Sequence, residues 1–250
     1  MVLILNLNVI YAVIFIILIF GARMKVEFHS LHWDNVDPKM LEAHKKVMDN
    51  FDIPINYWSK NISHGAWLDH IMRKAISDIV VIIEPDCVPI YKRTVHNLIK
   101  YVELHDTFVG IAQVANHIPP KSHIYAAPGF YAMTKSVYER LGEPSFMETS
   151  RSDVAEEVSY IAELKGIRYR ALLPTSFEKE PDEGLWPLGS IGYYGIGTVF
   201  NHNIYHLYQS RMAQNVDRFV TRCEQIVQNK FSEIGFYNSQ TLGYNGNIVK

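Results

Sequence analysis

The run Ile79-Val80-Val81-Ile82-Ile83, followed at once by Glu84-Pro85-Asp86-Cys87-Val88-Pro89, constrains this chain more than any other segment. Five apolar β-branched residues read as a strand buried on both faces of a parallel sheet, and in open α/β sheets ligands bind just beyond the carboxyl ends of such strands. Glu84 and Asp86 fall at that edge. Two carboxylates one residue apart cannot both turn into the core, because unpaired buried charge is too costly. They need water, a cation or a metal. Oxygen ligands favour Mg²⁺ or Mn²⁺, ions that hold diphosphates by bridging carboxylates to phosphate oxygens. The plain alternative is a solvated strand-to-turn corner punctuated by Pro85 and Pro89.

The segments leading into this strand alternate in type. Lys25 to His29 reads as a strand, and Asp37-Pro38 as a helix start with Met40, Leu41, Val47, Met48 and Phe51 on an apolar face. Ile53 to Trp58 reads as a second strand and Ser63 to Ile76 as a second helix, with Trp67, Leu68, Ile71, Met72 and Ala75 turned inward. The order β-α-β-α-β followed by Glu-x-Asp predicts an α/β fold with a mostly parallel central sheet, flanking helices and right-handed crossovers.

The second half is mixed. Phe108 to Val114 and Ile124 to Met133 read as strands, the latter bent or bulged at Pro128-Gly129. Thr134 caps a short helix, Lys135 to Leu141, stopped by Gly142. A longer helix is expected from about Ser152 to Lys165, then a strand from Ile167 to Leu173. Gly184 to Gly197 fits neither a P-loop nor a dinucleotide fingerprint and reads as a loop. Val216 to Phe231 reads as an amphipathic helix packed on the core, and Asn238 to Lys250 as a loosely ordered polar tail.

Composition sets the bounds. With 250 residues, 48% apolar and 20% charged, the chain can bury one large α/β domain plus appendages. A formal charge of -2 and the lack of a basic stripe give no reason to propose a nucleic-acid partner. Cys87 and Cys223 stand far apart in unlike contexts, so neither a disulfide framework nor a zinc site is indicated. Met1 to Phe20 carries no charged side chain and matches the roughly 20 residues of a bilayer-spanning helix. Residues 1–23 are therefore expected to form a membrane anchor, with Arg23 and Lys25 placing the rest in the cytoplasm. The alternative is a start at Met24 and a cytoplasmic protein. The expected division is 1–23, a domain over 24–211, and a helix with tail over 212–250.

The β-α-β-α-β order ending in Ile-Ile-Glu-Pro-Asp-Cys-Val-Pro resembles the nucleotide-binding half of GT-A glycosyltransferases, family 2-like, in which an acidic D-x-D motif occupies this place. Glu84 stands here instead of aspartate, which keeps the charge and lengthens the arm. Ala126-Ala127-Pro128-Gly129-Phe130-Tyr131-Ala132-Met133 resembles the acceptor-side strand of that fold. Asp153-Val154-Ala155-Glu156-Glu157 and Tyr205-His206-Leu207-Tyr208-Gln209-Ser210-Arg211 match more loosely. The resemblance covers about Met24 to Arg211.

The resemblance implies transfer of a sugar from a nucleotide-diphosphate sugar to a carbohydrate or other hydroxyl acceptor, with Mn²⁺ or Mg²⁺ held by Glu84 and Asp86. It also implies a third metal contact from a late histidine, His206 or His202. Asp153, with Glu156 and Glu157 behind it, is the candidate general base of an inverting enzyme. These acids equally suit a capping box and a helix dipole. By topology, His29, Ser30 and Asn35, with Trp33, sit where nucleotide base and ribose bind. Arg211 matches phosphate geometry and equally suits a surface ion pair. Trp186, Tyr193 and Tyr194 are candidates for a sugar platform. A nucleotidyltransferase, or a catalytically silent relative that only binds carbohydrate or another chain, is the alternative.

Overall fold

The alternation that begins at Met24 builds β1 (Val26–His32), α1 (Pro38–Asn50), β2 (Ile55–Ser59), α2 (His64–Lys74) and β3 (Ile79–Ile83). These come from a computed structural model that describes residues 24–119, 121–178 and 184–239. The expected anchor over 1–23 and all but the first two residues of the polar tail lie outside the described residues. Among the described residues no helix is long and apolar enough to cross a membrane. Helix starts follow local chemistry: the Asp37 side chain accepts from Lys39 N, and Ser63 Oγ from Ala66 N, each satisfying a backbone donor that the helix cannot.

The chain continues through β4 (Cys87–Pro89), α3 (Lys92–His105), β5 (Phe108–Val114), β6 (Ile124–Thr134), α4 (Lys135–Arg140), α5 (Glu156–Leu164) and β7 (Arg170–Leu172). The main sheet has the order β2-β1-β3-β6-β5-β7. β1 is parallel to β2 and β3, β7 is parallel to β5, and β6 is antiparallel to both its neighbours, β3 and β5. All five residues of β3 are buried. Ile79, Val81 and Ile83 pack with Val47 and Met48 of α1 and Val102 of α3; Val80 and Ile82 pack with Trp67 and Leu68 of α2 and Val158 of α5. The strand is thus sandwiched on both faces, as its composition predicts, in a mostly parallel α/β sheet.

A second sheet, order β13-β8-β11-β12-β4, is antiparallel throughout and combines β4 with β8 (Pro174–Phe177), β11 (Gly197–Phe200), β12 (Ile204–Leu207) and β13 (Tyr237–Asn238). Between β8 and β11, β9 (Leu185–Pro187) and β10 (Tyr193–Gly195) pair antiparallel. This corrects the expected Gly184–Gly197 loop: Trp186 sits opposite Tyr194 in a short ladder, and Tyr194 is buried. The last helix, α6 (Ala213–Val227), packs along α1 through Val216, Phe219, Cys223 and Ile226. Both cysteines are buried free thiols.

Two further boundaries moved. α3 has no counterpart in the sequence analysis, because its apolar stripe is thin (Val95, Leu98 and Val102) and its N-cap, Tyr91, makes no side-chain cap. α5 starts at Glu156 and not at Ser152. Ala155 takes a left-handed φ of 68°, and Asp153 N donates to Glu156 Oε2 at 2.8 Å, so 152–155 form a turn ahead of the helix.

Candidate functional site

Glu84-Pro85-Asp86 is the joint between the two sheets. β3 delivers Glu84 to the carboxyl edge of the main sheet, where its N–H donates to Gly129 O at 2.9 Å. Cys87 N closes on Glu84 O at 3.0 Å, and the chain enters the second sheet as β4. There the ladder sets Cys87 opposite His206, and Leu207 N donates to Asp86 O at 2.9 Å. Strand register therefore brings His206 to Asp86, with Nε2 3.5 Å from Oδ1. Glu84, Asp86 and His206 each offer a ligand atom, and these atoms lie within 4.8 Å of one another.

The site is held tightly. Ser210 Oγ donates to Asp86 Oδ2 at 2.7 Å, and the His206 ring lies 4.1 Å from the Tyr208 ring, centroid to centroid. The β5–β6 ladder jumps from Gly110↔Tyr131 to Ile111↔Ala127, which makes Pro128-Gly129 the expected bulge. A Cβ on Gly129 would stand 2.8 Å from Ile111 Cδ1 and 3.4 Å from His206 Cε1, so the glycine gives the imidazole its space. Asp86 Oδ1, His206 Nδ1 and Tyr208 OH are buried without hydrogen-bond partners. Such orphaned atoms are costly unless a ligand meets them. Two carboxylates and an imidazole fit a divalent ion such as Mn²⁺.

The charges are arranged unequally. Burial, then the neighbouring charges of Asp86 and Asp153, push the Glu84 carboxyl well above its usual range, with Arg211 opposing. Burial also acts to raise Asp86, but the His206 imidazole 3.5 Å away and the hydrogen bond from the Ser210 hydroxyl outweigh it and hold Asp86 below the usual carboxylate range. Asp86 is thus the more acidic of the two, and a cation between them would favour the ionised form of both.

The other expected residues divide. Asp153 lies close enough for its charge to act on Glu84; its Oδ2 accepts from Tyr125 OH at 3.3 Å and its Oδ1 from Val154 N at 2.8 Å. Glu156 is buried and committed to His123 Nδ1 at 2.8 Å and to the Asp153 backbone. Glu157 is committed to Arg151. Both reserve carboxylates are thus engaged in holding the turn and helix. His202 stands apart from the group of Glu84, Asp86 and His206: it sits at φ 57° in the turn between β11 and β12, its side chain is 74% exposed, and it lies 3.8 Å from Glu233.

β1 runs three residues past its expected end, which places Ser30 as well as His29 inside the strand. His29 is buried with its two ring nitrogens facing Glu27 Oε2 and Trp58 Nε1, both at 3.1 Å, and Ser30 is fully buried. Neither side chain is open to solvent as a nucleotide contact in this structure. Asn35 is exposed in the turn that follows β1. Arg211 lies with its guanidinium carbon 5.2 Å from the Trp33 ring centroid. Tyr193 is buried against Phe177, while Trp186 and Tyr194 cluster with Tyr208 at centroid distances of 5.1 to 5.6 Å.

Sequence analysis missed His64, whose Nε2 lies 3.3 Å from Glu84 Oε1. The available signal was a histidine directly after the Ser63 N-cap of the helix that feeds the acidic strand. It also missed the orphaned hydroxyl of Tyr208, which only the folded register brings beside His206.

No protein-family model and no curated protein matches the chain. Solved structures give distant likenesses. A mannosyltransferase from Pyrobaculum calidifontis in complex with GDP-Man and Mn²⁺ aligns at 15% identity and a TM-score of 0.44, over 60% of this chain and 55% of its own, so the chain spans little more than half of that protein. A CMP:2-keto-3-deoxy-manno-octonic acid synthetase complexed with CTP aligns at 12% and 0.37, over 60% and 89% of the two chains. A glycosyltransferase involved in glycosylation of the major capsid of PBCV-1 aligns at 12% and 0.35, over 60% and 81%. Likenesses this distant transfer no residue roles. The sheet order stands by itself as the mostly parallel α/β arrangement expected from the sequence.

Proposed function

We propose that this chain is a metal-dependent glycosyltransferase that moves a sugar from a nucleotide-diphosphate donor to a carbohydrate or other hydroxyl acceptor. The observation that carries the reading is the convergence of Glu84, Asp86 and His206 at the carboxyl edge of the parallel strands, with Asp86 Oδ1 and His206 Nδ1 buried and unpartnered. A Mn²⁺ or Mg²⁺ ion held by these three side chains would neutralise the charge that develops on a departing diphosphate.

The remaining roles belong to the chain itself. Ser210 fixes Asp86, the more acidic carboxyl, in one orientation. Arg211 carries a fixed positive charge beside Trp33 and within reach of Glu84's field, a placement suited to phosphate oxygens. Trp186, Tyr194 and Tyr208 supply an aromatic wall next to His206 for a sugar face. Transfer breaks the bond from the anomeric carbon to the phosphate oxygen, whose electrons leave with the diphosphate. It forms a bond to the acceptor oxygen, and the acceptor's proton goes to Asp153 in an inverting reaction. Of the three candidate acids Asp153, Glu156 and Glu157, Asp153 alone is not tied to a basic side chain.

A nucleotidyltransferase is disfavoured by the loop after β1. It reads Trp33-Asp34-Asn35-Val36-Asp37, neither glycine-rich nor basic. The test is nucleoside diphosphate release over a panel of UDP-, GDP- and TDP-sugars, with Mn²⁺, Mg²⁺ or EDTA, beside Asp86→Ala. Release that needs metal and vanishes in the variant is the expected result. Silence across the panel, with no metal-dependent donor binding, would favour a binding role instead.

A further inference from the structure

The helix that feeds the acidic strand begins with a histidine that turns back onto the strand's end. His64 is the first residue of α2, directly after the Ser63 cap. Its Nε2 is buried without a hydrogen-bond partner and lies 3.3 Å from Glu84 Oε1. The ring is fenced by Trp67, stacked at 5.9 Å, and by Trp33, edge-on at 6.1 Å. An orphaned buried ring nitrogen of this kind costs about 1–3 kcal/mol unless some state of the protein supplies its partner. The nearby carboxylate is that of Glu84. With one methylene more than Asp86, Glu84 has an additional torsion to fix before it can act as a ligand.

We propose that His64 is a positioning residue of the metal site. Its Nε2–H donates to Oε1 of Glu84 and leaves Oε2 as the oxygen turned to the cation. The longer arm of glutamate is thereby tied at one oxygen to α2, as Asp86 is tied at one oxygen to Ser210. Groups that ligate metals are generally oriented by such an outer hydrogen bond, and its loss costs about 10- to 100-fold in metal affinity. This inference rests on the metal reading of Glu84, Asp86 and His206, and its test separates the two.

The test is a calorimetric Mn²⁺ titration of the full chain as wild type, His64→Phe and His64→Gln, with the thermal midpoint of each recorded in EDTA. Phenylalanine keeps a ring against Trp67 and Trp33 but has no donor, whereas glutamine keeps an N–H. The expected result is Mn²⁺ affinity about tenfold lower or worse for His64→Phe, recovered for the most part in His64→Gln, with metal-free midpoints alike. Unchanged affinity in His64→Phe, equal loss in both variants, or affinity that falls in step with the metal-free midpoint would each overturn the positioning role. A wild-type protein that binds no Mn²⁺ overturns the metal reading itself, and the positioning role with it.

Discussion

Gly129 shows how little room the site leaves at the scale of one atom. A methyl group there would meet Ile111 Cδ1 at 2.8 Å and press on the His206 ring at 3.4 Å. Gly129→Ala is expected to destabilise the protein by about 1–3 kcal/mol, as overpacking does, and to weaken Mn²⁺ binding. Urea unfolding in EDTA and a Mn²⁺ titration would check the two effects. A variant with wild-type stability and affinity would show that the imidazole does not depend on this gap. At this scale Glu84 and Asp86 were legible because a buried strand announces where its end lies. His206 was preferred to His202 only for the likeness of its setting, Tyr205 to Arg211, to the closing segment of the resembling family. The choice is made by the β4–β12 register, which pairs residues far apart in sequence, and by the left-handed turn that carries His202 outward.

At the scale of elements, the parallel half was readable from its periodicity, and α1, α2 and β3 fall close to their expected bounds. The second sheet was not. Its strands are three and four residues long apart from a two-residue β13, too short to show alternation. The start of α5 was misplaced because Glu156 reaches back to the Asp153 backbone, so the capping pattern Ser-x-x-acid sits one turn early. That shift leaves Asp153 in a turn ahead of the helix instead of within it.

α1 carries its own testable feature, the fully buried His44, whose Nδ1 meets Tyr57 OH at 2.9 Å. Burial pulls its pKa down from 6.5 to about 3, against the opposing charge of Asp86. The folded state therefore holds His44 neutral while the unfolded chain takes up a proton below about pH 6.5. The resulting contribution to stability is complete above the unfolded pKa and is lost as pH falls toward the folded one. Replacing His44 with Gln removes this dependence, so the stability cost of His44→Gln should shrink between about pH 7.5 and about pH 4.5. Urea midpoints at the two pH values measure it, and a cost that stays constant would contradict the buried neutral assignment.

Across the whole molecule, the site exists because two sheets meet at one tripeptide. Glu84 ends the parallel sheet, Asp86 precedes the antiparallel one, and His206 arrives from a strand that pairs only with the second. The α/β class and the location of the site at a strand's carboxyl edge followed from the sequence, since they depend on local pattern. The second sheet's contribution did not, since it depends on long-range pairing. The central claim is that these three side chains bind one divalent cation together with a nucleoside diphosphate. Crystals grown with Mn²⁺ and a nucleoside diphosphate, measured for anomalous scattering at the manganese edge, test it most directly. The account predicts a single strong peak among Glu84, Asp86 and His206 and next to the phosphate oxygens. Binding of the nucleotide with no peak at these residues, or with manganese bound elsewhere, would contradict it.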